Sequence, residues 1–208
     1  NDRLLLGLKG TMSEAELHVM RARLRGGLLS KARRGELRCR LPVGLVYDAG
    51  GRVLLDPDKQ VQEAVRLLFS TFARTGAAHA TVKYFRGQGL LFPTRAGAGA
   101  HKGELTWGPL CLGRAVNALH NPWYAGAYAF GRARWRKQPD GRSRHERLPR
   151  TEWHALLRDA HPAYISWETF LANGERLARN CTHNGARPAR EGAALLQGSV
   201  RCGACGRG

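Results

Sequence analysis

Acidic residues are scarce in this 208-residue chain: 16 Asp plus Glu stand against 34 Lys plus Arg, a formal net charge of +18. Such an imbalance bears on partners rather than on fold. It points to a polyanion, nucleic acid first, with ribosomal RNA or an anionic membrane surface as competitors. Long apolar runs are also missing, since none approaches the roughly 20 residues of a membrane span. Leu4, Leu5, Leu6 and Leu8 make a stretch too short for a secretory signal, and no cleavage site follows it. Cysteines number five, an odd set that is scattered except for Cys202 and Cys205. That usage argues against a disulfide scaffold and for a reducing cytoplasm. Only six serines are present (Ser13, Ser30, Ser70, Ser143, Ser166 and Ser199), and none lies in a Tyr-x-Arg-x-Ser setting. There is no phosphate-binding glycine loop, no Ser/His/Asp set and no complete metal set. An aromatic RNP motif and a flanked GXXG loop, the signatures of two common RNA-binding modules, are absent as well.

What is present is organised around residues 13–35. Ser13 and Glu16 have the spacing of a capping box. Leu17, Met20, Leu24 and Leu28 recur at helical spacing. Arg21, Arg23, Arg25, Lys31, Arg33 and Arg34 load the rest with positive charge, densest toward the C-terminus, where cations suit the helix dipole. One reading is a solvated amphipathic helix with its stripe on a core. The other is a dimerising stripe that feeds a basic arm onto DNA. Gly26 and Gly27 favour the second, because each mid-helix Gly costs about 1 kcal/mol against Ala. That cost is tolerated more easily where another backbone or a phosphate comes close.

Beyond this helix the chain reads as alternating short elements. Residues 36–55 predict a hairpin turning at Asp48 to Gly51. Asp56 as N-cap and Pro57 at the first position open a helix. Val61, Val65, Leu68, Phe69 and Phe72 form its core face and Gly76 its stop. A second helix is expected over 78–87, then a Pro/Gly/Ala-rich loop over 93–105. Trp107 opens a third helix over 109–120, with Leu112, Val116 and Leu119 inward and Arg114 and Asn117 outward. These three helices read either as a helix-turn-helix module or as any small helical core. A strand from Tyr124 through Arg132, Arg134, Trp135, Arg136 and Lys137 turns at residues 139–141 and returns through Arg142, Arg144 and Arg147. Such a basic hairpin either lies along a phosphate backbone or is a charged edge that blocks strand pairing. Ser166 caps a last helix over 167–180, with Phe170, Leu171 and Leu177 inward. Cys202 and Cys205 then form half of a zinc knuckle, which needs two further ligands.

Several stretches resemble large serine recombinases, the serine integrase and resolvase family. Glu16, Arg23, Gly27, Arg34 and Gly35 follow the pattern of the long helix closing their catalytic domain, with Leu17 and Ala22 departing from it. Pro42, Gly44 and Tyr47, and then Asp56 and Pro57 before a helix with Phe69, resemble the opening of their recombinase domain. Trp107 and the run Leu119, His120, Asn121, Pro122, Trp123, Tyr124, Ala125, Gly126 resemble its central block. His161, Pro162, Ile165 and Ser166 resemble its close. Leu196, Gln197 and Gly198 through Cys202 and Cys205 resemble the start of the zinc ribbon that follows.

The resemblance implies three regions: 1–35, the end of a catalytic domain; 36–180, a DNA-binding recombinase domain; and 181–208, a linker and the start of a zinc ribbon. It implies an α+β fold, mostly helical, with short antiparallel hairpins and a long N-terminal connecting helix. In that family a serine cuts DNA through a phosphoserine link, in a setting of Tyr and Arg that this sequence does not contain. The expectation is therefore a DNA-binding portion without catalytic residues, inactive alone, preceded in the full-length protein by the missing catalytic domain. Such a protein acts in DNA recombination and integration by mobile genetic elements, in the prokaryotic cytoplasm. It binds double-stranded DNA, self-associates as a dimer or tetramer at full length, and uses no membrane. The residues expected on DNA are Arg23, Arg33, Arg34, Trp107, Arg114, Asn117, Arg132, Arg134, Arg136 and Lys137. The metal pair is Cys202 and Cys205, only half of a site, so this chain alone is not expected to hold zinc. An RNA-binding or other basic module without catalysis, or an independent enzyme, are the competing readings.

Overall fold

The computed structural model describes residues 2–97, 99, 103–139, 141–181 and 203, and of residues 2–13 and 15 the backbone alone. Helices and short strands alternate along them, and each strand belongs to a two-stranded antiparallel sheet. The expected α+β class is met.

The first helix, α1, runs Asp2–Arg33. It starts well before residue 13, so Ser13 lies inside the helix and is no N-cap. A Ser–Glu spacing marks a start only if the chain before it is not helical, and the Leu-rich segment upstream continues the helix. The end is as read. Gly35 takes the left-handed conformation (φ 75°). Its N–H reaches the Ala32 carbonyl at 3.0 Å and the Glu36 N–H reaches Lys31 at 3.0 Å, the paired bonds of a Schellman stop. Leu17, Met20, Leu24 and Leu28 are all exposed, Leu24 by 70 %. Among the residues whose side chains are described, the last turns are the anchored ones: Ala32 is buried, and the His154 ring lies 3.3 Å from the Leu29 carbonyl. Side chains at Gly26 and Gly27 would meet nothing within 4 Å, so no close approach among the described residues explains them.

Strands β1 (Leu45–Tyr47) and β2 (Val53–Leu55) form the expected hairpin, with Val46 opposite Leu54. The Asp48 carboxylate closes its turn on the Arg52 N–H and guanidinium, both at 2.8 Å. Helix α2 (Lys59–Thr75) is capped by Asp58, whose carboxylate accepts the Gln60 N–H, and not by Asp56. Asp56 is instead buried and paired with Arg95 at 2.6 Å. Val61, Val65, Leu68, Phe69 and Phe72 face inward and Gly76 ends the helix, as read. Helix α3 (Ala78–Gly87) buries Val82 and Phe85.

The expected loop at 93–105 is flanked by two strands that reach into its ends and make it the turn of a hairpin. Strand β3 (Leu91–Arg95) pairs with β4 (Leu105–Pro109), and Trp107 sits on β4 opposite Pro93 rather than at a helix start. Both strands of a two-stranded ribbon are edge strands, where proline is tolerated. Helix α4 is accordingly short, Leu112–Leu119, with Leu119 buried but Leu112 exposed. A 3-10 turn (Pro122–Ala125) follows. The single strand expected from Tyr124 is split in two. β5 (Tyr128–Phe130) pairs with β8 (Ala155–Leu157), and β6 (Ala133–Lys137) pairs with β7 (Ser143–Arg147). Helix α5 (Trp167–Arg179) is capped by Ser166, as read.

Two cores hold these pieces. The larger joins Val65, Leu68 and Phe72 of α2, Phe85 of α3, Phe92 of β3, Leu119 of α4 and Tyr124. The smaller joins Leu45, Trp123, Tyr128 and Ala155. Tyrosines stitch the segment just before β1 to them: the Tyr124 hydroxyl donates to the Val43 carbonyl at 2.9 Å and Tyr164 to Gly44 at 2.7 Å. Burial pushes the Tyr164 phenol up to about 12. Gly126 (φ 72°) must be glycine, since a Cβ there would lie 2.8 Å from the His161 carbonyl oxygen.

Candidate nucleic-acid interface

Helix α4 separates two cation-lined recesses. On one side, Arg40, Arg95 and Arg114 line a recess of about 290 Å³. On the other, His120, Arg132, Arg147 and Arg150 line one of about 700 Å³ between the β6–β7 hairpin and α5. Asn117 and Asn121 line both, so the two make one arginine-bordered surface across α4.

The hydrogen bonds show how the cations are held. Arg147 donates to the Asn117 side-chain oxygen at 2.9 Å, and Arg132 donates to Asn121 at 3.0 Å. The Arg132 guanidinium also lies 6.0 Å from the Trp153 ring centroid. Burial, and then the nearby Arg147 charge, hold its pKa below the ordinary value. Burial likewise lowers His120, with Arg147 and Arg132 adding to the effect. On the hairpin, Arg136 stands opposite Arg144, and like charges in cross-strand positions repel. Cations that outnumber the acids beside them are stabilised by an incoming anion, which reduces the repulsion.

Of the residues expected on DNA, this surface brings together Arg114, Asn117 and Arg132, with the hairpin beside them. Arg134 is paired with Glu146 at 2.9 Å, while Arg136 and Lys137 are exposed. Trp135 next to them is 71 % exposed and lies 5.1 Å from the His145 ring. Arg33 and Arg34 stand elsewhere, at the end of α1, where Arg34 binds Glu36 through two nitrogens at 2.9 Å and Ser30 at 2.8 Å. Arg23 is farther back on the exposed helix. Trp107 is 38 % exposed and borders a separate apolar hollow with Leu67, Phe85 and Leu91. Cys202 and Cys205 lie outside the described residues. Among the described residues, no group of three His, Cys, Asp or Glu is placed to hold a metal ion, and no helix is long and apolar enough to cross a membrane.

Reading the sequence missed Arg40, Arg95, Arg150 and His120 as members of this surface. Arg95 was hidden because its hairpin reads as a loop. Its signal was the β-prone stretches on either side of a glycine-rich tip. Arg40 comes beside it only by folding, donating to the Arg95 carbonyl at 3.1 Å across 55 residues.

The fold and this surface define a basic α+β module suited to polyanions. The family model named Recombinase matches residues 59–180, and the chain belongs to that family, as the resemblance implied. It is 50 % identical over 211 residues to the uncharacterized protein y4bA/y4pH of Sinorhizobium fredii (strain NBRC 101917 / NGR234), covering 99 % of this chain. The chain spans 30 % of the length of that relative. Among solved structures it is similar to one described as "Crystal Structure of a LSR-DNA Complex". There the TM-score is 0.47 and the identity 17 %, over 88 % of this chain and 47 % of that chain. A second, described as "Sequence Requirements of the Listeria innocua prophage attP site", has a TM-score of 0.40 and 18 % identity, over 79 % of this chain and 52 % of that chain.

Proposed function

We propose that this chain is the DNA-binding portion of a site-specific serine recombinase, which recognises attachment-site DNA for strand exchange. The observation that carries this is the surface across α4, where arginines from four separate segments converge in a chain of the Recombinase family. In this reading Arg132, Arg136, Lys137 and Arg147 hold phosphates, and Asn117 lies where a base edge would come. Trp135 packs on the backbone, and Arg33 and Arg34 follow the exit of α1 into a minor groove, where arginine is favoured.

The catalytic serine belongs to a part of the protein that this chain lacks. Three of the serines here have structural work: Ser30 accepts from Arg34, Ser70 donates to the Leu67 carbonyl, and Ser166 caps α5. The exposed stripe of α1 is the surface through which the full-length protein would self-associate. Cys202 and Cys205 supply two of four zinc ligands, so this chain alone should bind less than one zinc per molecule. The place of action is DNA in a prokaryotic cytoplasm.

Binding to duplex DNA across a salt series, with attachment-site-like and scrambled sequences in parallel, tests the proposal. A steep slope with a sequence preference supports it, since phosphates set the slope and bases the preference. No duplex binding at low salt overturns it, and preference for single-stranded RNA would then favour the RNA-binding alternative. A serine-linked DNA product from this chain would overturn the assignment of catalysis elsewhere.

A further inference from the structure

Six buried polar side-chain atoms among the described residues have no hydrogen-bond partner: Thr94 Oγ1, Arg95 Nε, Arg114 Nη1, His120 Nδ1, His161 Nε2 and Trp167 Nε1. Buried polar groups are almost always satisfied, so each exception calls for a cause. Three of the six belong to Thr94, Arg95 and Arg114, residues that line the recess of about 290 Å³ beside α4. All three can donate. A guanidinium donates only, and a hydroxyl can do so. The partner they lack is therefore an acceptor.

Charge says which kind. Three guanidinium groups border the recess, from Arg40, Arg95 and Arg114. No carboxylate is among the residues that line it, and Asp56 beneath is already engaged: it takes the Arg95 Nη2 at 2.6 Å, while Arg95 Nη1 donates to the Gly103 carbonyl at 3.2 Å. Positive charge remains uncompensated, so the acceptor is an anion. The donors come from different walls, Thr94 and Arg95 from β3 and Arg114 from α4, with Arg40 on the exposed rim. Convergence from several sides suits a tetrahedral oxyanion, and guanidinium forks match phosphate oxygens well.

We propose that this recess is a phosphate-binding site in which Thr94, Arg95 and Arg114 hold one phosphate oxyanion, with Arg40 at its mouth. The phosphate is either a phosphodiester of bound DNA or free phosphate. In the first case the site deepens the DNA-binding reading and rests on it. Arg114 is then a backbone anchor that fixes register, not a reader of base edges.

The test uses the full chain as wild type, Thr94→Val, Arg114→Met and, as a control on the far end of α3, Arg86→Met. Inorganic phosphate is titrated at constant ionic strength by calorimetry. A random-sequence duplex is titrated across a salt series. The site predicts saturable phosphate binding in wild type and Arg86→Met, weakened about tenfold or more when one charge-assisted donor is lost. On duplex, Thr94→Val should weaken binding equally on every sequence without altering net charge. Arg114→Met should lower the salt slope by about 1. Thr94→Val should keep or raise the melting temperature, since it removes an unpaired buried hydroxyl. A purely structural Thr94 would lower it. Effects on both ligands assign the site to DNA phosphate. Effects on free phosphate alone assign it to the free ion. An effect on duplex alone, from Thr94→Val and Arg114→Met together, assigns it to the phosphodiester. No effect on either overturns the site, and the DNA-binding reading then stands if wild type still binds duplex. If wild type binds phosphate but no duplex, that reading falls and the site remains.

Discussion

Helices α1 and α2 look alike in sequence and are held in different ways. Both carry apolar residues at helical spacing and basic residues in their last turn. α2 buries Val61, Val65, Leu68, Phe69, Thr71 and Phe72 in 17 residues. α1 leaves Leu17, Met20, Leu24 and Leu28 exposed and buries Ala32 near its end. Most helical stability comes from packing an amphipathic face rather than from propensity. α2 therefore belongs to the cooperative body of the molecule. Over the residues whose side chains are described, α1 is held by its own hydrogen bonds, its Schellman stop and one anchored turn. Periodicity shows that a helix has an apolar face. It does not show what the face meets.

This contrast can be broken most sharply at Phe72. Phe72→Ala should cost about 3–5 kcal/mol, as for a fully buried aromatic, and lower the melting temperature of residues 59–180 as a unit. Leaving α1 half-unfolded while the body stays intact would contradict the contrast. Next comes the link between hairpins. Asp56→Asn removes the carboxylate that holds Arg95. Its cost should be about 2 kcal/mol in urea unfolding, below the 3–5 of a fully buried pair because Arg95 keeps 33 % side-chain exposure.

Protonation gives a smaller effect, confined to the body. Burial lowers the pKa of both His120 and His161 from the usual 6.5. Both rings are thus favoured neutral in the folded state. Their contribution is complete above about pH 6.5 and is lost as pH falls toward their depressed folded values, where the unfolded chain binds more protons. Melting temperature should drop between pH 7 and pH 5, and a His120→Asn, His161→Asn double variant should show a shallower drop. An unchanged slope would mean that other groups set it. The smallest effect belongs to α1: Leu24→Ser should change stability by less than about 0.5 kcal/mol, as for an exposed position. A larger loss in a concentration-dependent melt would show that the stripe is covered by a second chain.

The surface across α4 divides along similar lines. Arg114, Asn117 and the basic hairpin were legible because their residue types and local spacing suffice. Arg40 and Arg95 were not, because a long-range hairpin and a buried Asp56 bring them together. The third helix was misjudged at its start for the same reason. Trp107 looks like a helix opener until Pro93 is seen opposite it across the β3–β4 ribbon.

Sequence by itself determined the net charge, the core face of α2, the range of α3, the Gly35 and Gly76 stops, the Ser166 cap and the family. Each rests on local rules: side-chain periodicity, left-handed glycine, a hydroxyl three residues before the amide it serves. Tertiary structure alone decided that Ser13 caps nothing, that Asp56 serves Arg95 rather than a helix start, and that β5 leaves its neighbour to pair with β8. It alone gathered unpaired donors of Thr94, Arg95 and Arg114 around one recess. Those outcomes depend on which distant segments share a core, and the charge of a guanidinium is spent or left free only when its neighbours in space are known.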